Sequence, residues 1–367
     1  MQKTKMHDLK DLGQSIWLDY IRRSFLQDGG LEAYVKKGLG GVTSNPSLFD
    51  TAISEGQEYD PAIAKLSSAG KTTREIYEAL VVEDIKLACD ILHPVFVESE
   101  GDDGFVSLEV SPHLAHDTQG TIQEVRKYTQ LVDKPNLMVK VPATPEGIPA
   151  IEALIADGYN INITLMFSID QYNQVAGAYM SGLEKLAEKG GDLSDVHSVA
   201  SIFVSRLDVK IDRIFDSMDH ALAQDLKGKI GIANAKMVYQ KYLETFHTSR
   251  WEALADQGAR IQRVLYGSTS TKNPAYPDTL YPDNLIGDNT VNTLPPETLD
   301  AFLDHGTVAE TLTGDISQAQ EELDQLSTLD IKLDNITKEL LDEGVIKFAN
   351  SFDELMLSIA DKKAALK

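Results

Sequence analysis

The sequence predicts an α/β fold in which eight parallel strands, with helices between them, close into a (β/α)8 TIM barrel that carries additional helices. Short runs rich in Val, Ile and Leu alternate with longer segments whose apolar residues recur every three or four positions, as is typical of parallel βα units. An open doubly wound sheet usually has a glycine-rich nucleotide loop after its first strand, whereas "GLGGVTSNP" has the glycines without that spacing. No linker rich in Pro, Gly or Ser divides the chain, so residues 1–367 are expected to form a single domain.

Eight apolar runs are predicted to form the strands of the barrel. In chain order they are "SIWLDYI" (15–21), "GGVTSNP" (40–46), "FVSLEVS" (105–111), "LMVKVPA" (137–143), "NINITLMF" (160–167), "ASIFVSR" (200–206), "RVLYGS" (263–268) and "TVNTL" (290–294). Each is short, rich in β-branched or aromatic residues and bounded by polar or turn-forming residues.

Helices are predicted between these strands from the spacing of their apolar residues. The clearest are residues 73–92, 121–131, 148–157, 169–189, 209–218 and 233–246. The charged segment from about residue 306 to 367 is also helical in pattern and is expected to pack on the outside of the barrel. The long, turn-rich segment 269–290 is expected to be an active-site loop.

The composition limits the classes of partner. The chain has 57 acidic and 34 basic residues and a formal net charge of −23, which would repel nucleic acid and anionic membranes. An anionic ligand would therefore need a local cluster of positive charge. Cys89 is the only cysteine, which suits a reducing compartment, and the N-terminal residues lack the apolar core of a signal peptide. A cytoplasmic protein, monomeric or homodimeric, is expected.

Polar residues occupy one face of strands that should be apolar on both faces. Side chains two positions apart share a side of a strand. In "VSLEVS" these polar positions are Ser107, Glu109 and Ser111, and in "NINITL" they are Asn160, Asn162 and Thr164. Parallel strands that are covered on both sides usually read as nearly continuous apolar runs, so polar groups are expected inside this barrel.

Lys140 lies in the middle of the apolar strand "LMVKVPA". An isolated polar core residue, an edge lysine or an ion-paired lysine would each be a structural explanation. Burial among apolar neighbours favours the neutral amine, which can attack a carbonyl. Asp19, Glu109, Asn45 and Asn162 are predicted at corresponding strand ends, where barrel active sites are assembled. A lysine with two carboxylates and amide donors suits Schiff-base chemistry at a carbon–carbon bond.

Five segments resemble, in order and spacing, the signature segments of the transaldolases of the pentose phosphate pathway. They are "GVTSNPSLF", "VSLEVSP", "LMVKVPAT", "NINITLMFS" and "SIFVSRLD". The resemblance extends from about residue 10 to about residue 300 and is strongest with the longer bacterial branch. It implies a class I aldolase barrel that needs no cofactor or metal and that moves a dihydroxyacetone unit from sedoheptulose 7-phosphate to glyceraldehyde 3-phosphate. The products would be erythrose 4-phosphate and fructose 6-phosphate.

The resemblance implies a catalytic role for four residues. Lys140 corresponds to the lysine that forms the Schiff base with the ketose. Asp19 corresponds to the aspartate that removes the proton from the hydroxyl beside the breaking bond. Glu109 corresponds to the glutamate that shuttles protons through a water held in part by Thr164.

The resemblance also implies that the substrate is bound by amides. Asn45 and Asn162 correspond to the amides that hold the hydroxyls of the dihydroxyacetone unit, and Thr43 is expected to line the same site. Retention of that unit until an acceptor arrives distinguishes a transferase from a simple aldolase.

A phosphate site is implied at the sixth strand. Ser201 and Arg206 correspond to the family's phosphate-binding serine and arginine, and a guanidinium can bind two phosphate oxygens at once. Lys272 corresponds to a second phosphate-binding arginine of many transaldolases, in a segment that is one residue longer here. The structural alternative for Arg206 is a salt bridge to Asp208 or Glu184.

Two other functions and one other site are compatible with the sequence. A fructose-6-phosphate aldolase would use the same barrel and lysine but release free dihydroxyacetone, and a non-catalytic barrel would only bind sugar phosphates. His113 and His116 in "SPHLAH", with Asp117, have the spacing of metal ligands, although a chance pair is the simpler explanation. Cys89 is expected to be a core residue.

Overall fold

A closed barrel of parallel strands forms the centre of the protein, in a computed structural model that describes residues 3–366. Each strand pairs with its neighbours in sequence, and β1 pairs with β8 to close the barrel. The strands are β1 Gln14–Asp19, β2 Gly41–Thr43, β3 Phe105–Glu109, β4 Leu137–Pro142, β5 Ile161–Met166, β6 Ser198–Phe203, β7 Arg263–Gly267 and β8 Thr290–Leu294. All eight predicted strands are present, which confirms the predicted fold class.

Helices connect these strands and continue after the last of them. Those before β5 are α1 Lys5–Asp11, α2 Arg23–Gln27, α3 Gly30–Val35, α4 Pro46–Glu55, α5 Asp60–Ser68, α6 Thr73–Glu98, α7 Thr118–Val132 and α8 Gly147–Ile155, with a 3-10 turn at Pro112–Leu114. Those after β5 are α9 Ile169–Glu188, α10 Ser205–Asp216, α11 Ala221–Asp225, α12 Ile230–Thr245, α13 Ser249–Ala255, α14 Leu280–Asn284, α15 Pro296–His305, α16 Ile316–Thr328 and α17 Leu333–Ala365. Within residues 3–366, no helix combines the length and the apolar character needed to cross a membrane.

The strand register brings the polar residues to one level of the barrel. Asp19 of β1 lies opposite Thr43 of β2. Lys140 of β4 lies between Glu109 of β3 and Asn162 of β5. Because neighbouring parallel strands are less than about 5 Å apart, side chains in matched register on the same side come into contact.

Strands β2 and β6 each end three residues earlier than predicted, because a helix begins after only one or two intervening residues. The side chain of Asn45 accepts a hydrogen bond of 3.1 Å from the backbone N–H of Leu48, and Pro46 occupies the first helical position. Asn45 is therefore the N-cap of α4 and lies outside β2. Likewise, α10 begins at Ser205, with one residue between it and the end of β6, so Arg206 lies in the first turn of a helix.

A bulge interrupts the alternation of side chains in β5. Its register against β6 shifts between Ile163 and Met166, and Leu165 has a φ of 59°. Asn160, which was predicted to share the inner face, instead precedes the strand and binds the carbonyl oxygen of Pro135. The predicted alternation therefore holds at Asn162 and Thr164, which share the inner side of the barrel, but not at Asn160.

The C-terminal helix α17 lies across one side of the barrel mouth. It contacts α4, α6 and α10. A second apolar cluster joins α10 to α17 through buried residues that include Leu207, Ile211, Leu340 and Phe348. This packing places one face of α17 beside the carboxyl ends of the strands.

Candidate active site

A cavity of about 330 Å³ opens at the carboxyl ends of the barrel strands. Its walls include Asp19, Thr43, Asn45, Lys140, Asn162, Thr164, Ser201, Arg206 and Lys272. These are all but one of the site residues predicted from the sequence, and the remaining one, Glu109, lies next to Lys140. The structure thus brings the whole predicted set together in one place.

The amine of Lys140 lies inside the barrel. The residue is 6% exposed, and its Nζ donates a hydrogen bond of 3.2 Å to the backbone carbonyl oxygen of Ser44. The distance from Nζ to Oε2 of Glu109 is 3.7 Å. The amine therefore has a carboxyl partner and faces the cavity, which is the arrangement a nucleophilic lysine needs.

Both carboxyl groups of the site bind protons more tightly than usual. Burial raises the pKa of Asp19, and the nearby charge of Lys140 partly opposes the change. Burial likewise raises the pKa of Glu109, again opposed mainly by Lys140. Asp19 also accepts a hydrogen bond of 2.7 Å from the hydroxyl of Thr43. Carboxyl groups with raised pKa values beside an amine are suited to proton transfer.

Two polar atoms at the base of the cavity have no hydrogen-bond partner among residues 3–366. They are Oε2 of Glu109 and Oγ1 of Thr164, and both are buried. Buried polar atoms in proteins are normally paired with protein groups or ordered water. Each of the two atoms therefore has a hydrogen-bonding position that a water molecule or a ligand could occupy.

A hydrogen-bonded row orients the amide of Asn162. Its Nδ2 donates to the hydroxyl of Ser107 at 3.0 Å, and its Oδ1 accepts from the hydroxyl of Ser201 at 2.7 Å. Because the proton of Ser201 is donated to the amide, that hydroxyl has no proton left for a phosphate oxygen. This contact favours a positioning role for Ser201, and its predicted phosphate contact stays a prediction.

The guanidinium of Arg206 lies between two aromatic rings at the mouth of the cavity. Its centre is 4.8 Å from the ring of Phe203 and 5.3 Å from the ring of Phe348. The alternative salt bridges are not formed, because Asp208 accepts a hydrogen bond from Tyr281 and Glu184 pairs with Arg250.

The segment 269–290 borders the cavity and is tied to α10. It contributes Thr269, Ser270 and Lys272 to the walls. The hydroxyl of Tyr276 donates to Asp212 at 2.8 Å, and the hydroxyl of Tyr281 donates to Asp208 at 2.9 Å.

The histidine pair considered as metal ligands does not converge. His113 contacts Asp353 at 2.8 Å, whereas His116 contacts Glu146 at 3.0 Å. In the part of the chain that the structure describes, no three His, Cys, Asp or Glu side chains are grouped so that they could hold a metal ion.

The comparison with protein families agrees with this geometry. The family model described as "Transaldolase/Fructose-6-phosphate aldolase" matches residues 16–359. The chain belongs to this family.

Relatives in this transaldolase family resemble the chain over nearly its whole length. A protein of Trichodesmium erythraeum named "Transaldolase" is 44% identical over 366 residues, which cover 97% of this chain and 96% of that protein. A "Transaldolase" of Thermobifida fusca is 44% identical over 362 residues, covering 98% of both chains. A "Transaldolase" of Mycobacterium tuberculosis is 44% identical over 358 residues, covering 97% of this chain and 96% of that one. The protein is thus an enzyme of the transaldolase family.

The part of this transaldolase-family site that comes from the C-terminal helix was not predicted from the sequence. Lys347 and Phe348, both on α17, line the cavity. The positive charge of Arg206, followed by burial, lowers the pKa of Lys347. Neither residue lies in a recognisable motif, and the only signal was the apolar spacing that places Phe348 on the packed face of the helix.

Proposed function

We propose that the protein is a transaldolase that transfers a dihydroxyacetone unit between sugar phosphates through an imine on Lys140. In the forward direction the donor is sedoheptulose 7-phosphate and the acceptor is glyceraldehyde 3-phosphate. The observation that carries the proposal is the buried amine of Lys140, 3.7 Å from Glu109, in a cavity that also holds Asp19. These substrates assign the enzyme to the pentose phosphate pathway, and the single buried cysteine suits a reducing, cytoplasmic setting.

The first half of the reaction forms the imine and breaks a carbon–carbon bond. The neutral amine of Lys140 adds to the ketose carbonyl, and loss of water gives an iminium ion. Glu109 supplies the proton that leaves with this water, through a water molecule held between its Oε2 and the hydroxyl of Thr164. Asp19 then removes the proton from the hydroxyl at C4, the C3–C4 bond breaks, and its electron pair enters the iminium to give an enamine. The aldose phosphate leaves as an aldehyde.

The second half reverses these steps with a new aldehyde. The enamine carbon attacks the acceptor carbonyl, Asp19 returns its proton to the new alkoxide, and water hydrolyses the imine. Asn45 and Asn162 hold the hydroxyls of the three-carbon unit during the exchange of aldehydes. The row from Ser107 through Asn162 to Ser201 supports this role, because it fixes the amide before substrate binds.

Phosphate binding is proposed at the mouth of the cavity. Arg206 lies between Phe203 and Phe348 and keeps its N–H donors available, and Lys272 is nearby on the loop. A guanidinium that is stacked on aromatic rings is restrained in orientation, which favours bidentate binding of phosphate.

Borohydride reduction in the presence of fructose 6-phosphate tests the mechanism. A reduced three-carbon adduct is expected on the peptide that contains Lys140, since the enamine and its iminium form are the covalent intermediates. Lys140→Met should abolish the adduct, whereas Lys338→Met, which removes an exposed lysine of α17, should leave it unchanged. An adduct on another lysine, or none with the wild-type protein, would contradict the mechanism.

A transfer assay separates the two activities in the family's name. With fructose 6-phosphate alone, a transaldolase should release little dihydroxyacetone, and added erythrose 4-phosphate should produce sedoheptulose 7-phosphate. Rapid release of dihydroxyacetone without an acceptor would instead indicate a fructose-6-phosphate aldolase.

A further inference from the structure

The mouth of the cavity continues into a groove between α10 and α17. The groove has a volume of about 560 Å³, and both it and the cavity are lined by Arg206, Lys272 and Lys347. Three cations thus surround one opening in a protein whose net charge is −23. Arg206 and Lys272 were assigned to phosphate binding above, whereas Lys347 has no assigned role.

The glutamate that is spaced to pair with Lys347 on the same helix pairs with a different lysine. Glu343 lies four residues before Lys347, which is the favourable spacing for a glutamate–lysine pair on one helix. Instead, Glu343 pairs with Lys210 of the facing helix at 2.6 Å, and Glu339 pairs with the same lysine at 2.9 Å. Among residues 3–366, no carboxylate lies within 4.0 Å of the ammonium of Lys347.

A positive charge on Lys347 is therefore disfavoured by the other cations when no anion is bound beside it. The charge of Arg206 is the main cause of the lowered pKa of Lys347, followed by burial and the charge of Lys272. A bound phosphate dianion would turn this repulsion into attraction for all three cations at once.

We propose that Lys347 is a third phosphate-binding residue, supplied by the C-terminal helix, that selects phosphorylated over unphosphorylated sugars. The proposal rests on the function proposed above, because it takes the phosphate of the sugar substrate as the ligand. Its contribution is to binding, since Lys347 lies at the mouth and Lys140 at the base of the cavity.

Replacement of Lys347 with methionine tests the proposal. The KM for fructose 6-phosphate is expected to rise about tenfold, which is typical of the loss of one charged hydrogen bond. The value of kcat should change less than about twofold, and the inhibition constant of inorganic phosphate should rise by about the same factor as KM. The kcat/KM for unphosphorylated fructose should be unchanged. Lys347→Arg should restore most of the affinity because it keeps the charge.

Lys338→Met is the matched control. Lys338 is an exposed lysine of the same helix and does not line the cavity or the groove. Its replacement removes the same charge from α17 and should leave every constant unchanged. Lys347→Gln serves as a second variant if the methionine variant is poorly folded.

The outcomes separate this proposal from the proposed function. Wild-type protein without transfer activity or a borohydride adduct would refute the function. Active wild-type protein with the same KM in Lys347→Met and Lys338→Met would refute only the role of Lys347. An equal loss of kcat/KM for phosphorylated and unphosphorylated sugars would also refute it, since the lysine would then shape the wall without recognising phosphate.

Discussion

Replacing Asp208 with asparagine is expected to stabilise the protein more at alkaline pH than at acidic pH. Asp208 is 1% exposed, and its two oxygens accept hydrogen bonds from the N–H of Gly231 at 2.6 Å and from the hydroxyl of Tyr281 at 2.9 Å. Burial, assisted by the negative charges of Asp212 and Glu322, raises the pKa of Asp208 from 3.8 to about 7. Asparagine can keep both contacts without a charge, because its carbonyl accepts from Gly231 and its amide donates to Tyr281.

The raised pKa determines the sign of the effect. Below about pH 4 the carboxyl is protonated in both the folded and the unfolded state, so its ionisation does not affect the free energy of unfolding. Between about pH 4 and about pH 7 the folded protein keeps a proton that the unfolded chain has lost, so the free energy of unfolding falls as pH rises. Above that range the buried charge lowers the free energy of unfolding by a constant amount. This amount is about 4 kcal/mol, since the pKa differs by about three between the two states. At pH 5 the same effect is about 2 kcal/mol. The increase in the free energy of unfolding caused by Asp208→Asn should therefore be about 2 to 3 kcal/mol larger at pH 8 than at pH 5.

Urea unfolding at pH 5 and pH 8 measures this difference. The fluorescence of Trp17 and Trp251, which are both buried, reports the transition. Asp225→Asn is the control, because it removes an exposed aspartate. The other titrating groups are common to wild type and variant, so they largely cancel in the comparison. A gain from Asp208→Asn that is equal at the two pH values would show that the carboxyl is not held in its protonated form.

Two further substitutions test residues of the site. Asp19→Asn should lower kcat by roughly 10²- to 10⁴-fold, which is the usual effect of removing a general base. The borohydride adduct of dihydroxyacetone should still form on Lys140, because no carbon–carbon bond has to break. Loss of both activity and adduct in a folded variant would contradict the proposed role of Asp19. Arg206→Ala should raise the KM for phosphorylated substrates by roughly 10- to 100-fold, as expected when charged hydrogen bonds are removed. Steady-state kinetics with fructose as the unphosphorylated comparison checks the second substitution, and equal effects on both sugars would refute the phosphate assignment.

The strands and most of the site could be predicted because both depend on short-range patterns. Period-two alternation places Glu109 and Asn162 on the inner face of their strands, and register then places them beside Lys140. A lysine within an apolar strand is rare enough to attract notice without any knowledge of the fold. The predicted pattern breaks down at strand ends, where a cap at Asn45 and a bulge at Leu165 change the backbone direction.

The contribution of the C-terminal helix could not be predicted in the same way. Which face of α17 meets the barrel depends on how a distant segment docks, and its sequence pattern shows only that one face is apolar. Lys347 is an exposed lysine by sequence, and its significance comes from Arg206 on another helix and from the pairing of Glu343 with Lys210. Such arrangements of charge are properties of tertiary contacts and leave no local motif.

The position of α17 has a consequence for the order of synthesis. All eight strands, together with Lys140, Asp19 and Glu109, leave the ribosome before residues 333–365 do. A nascent barrel therefore has the proposed nucleophile in place but lacks the wall formed by Phe348 and Lys347. Docking of that last helix adds this wall, so the surroundings of the reaction site are complete only when the C-terminal segment has been made.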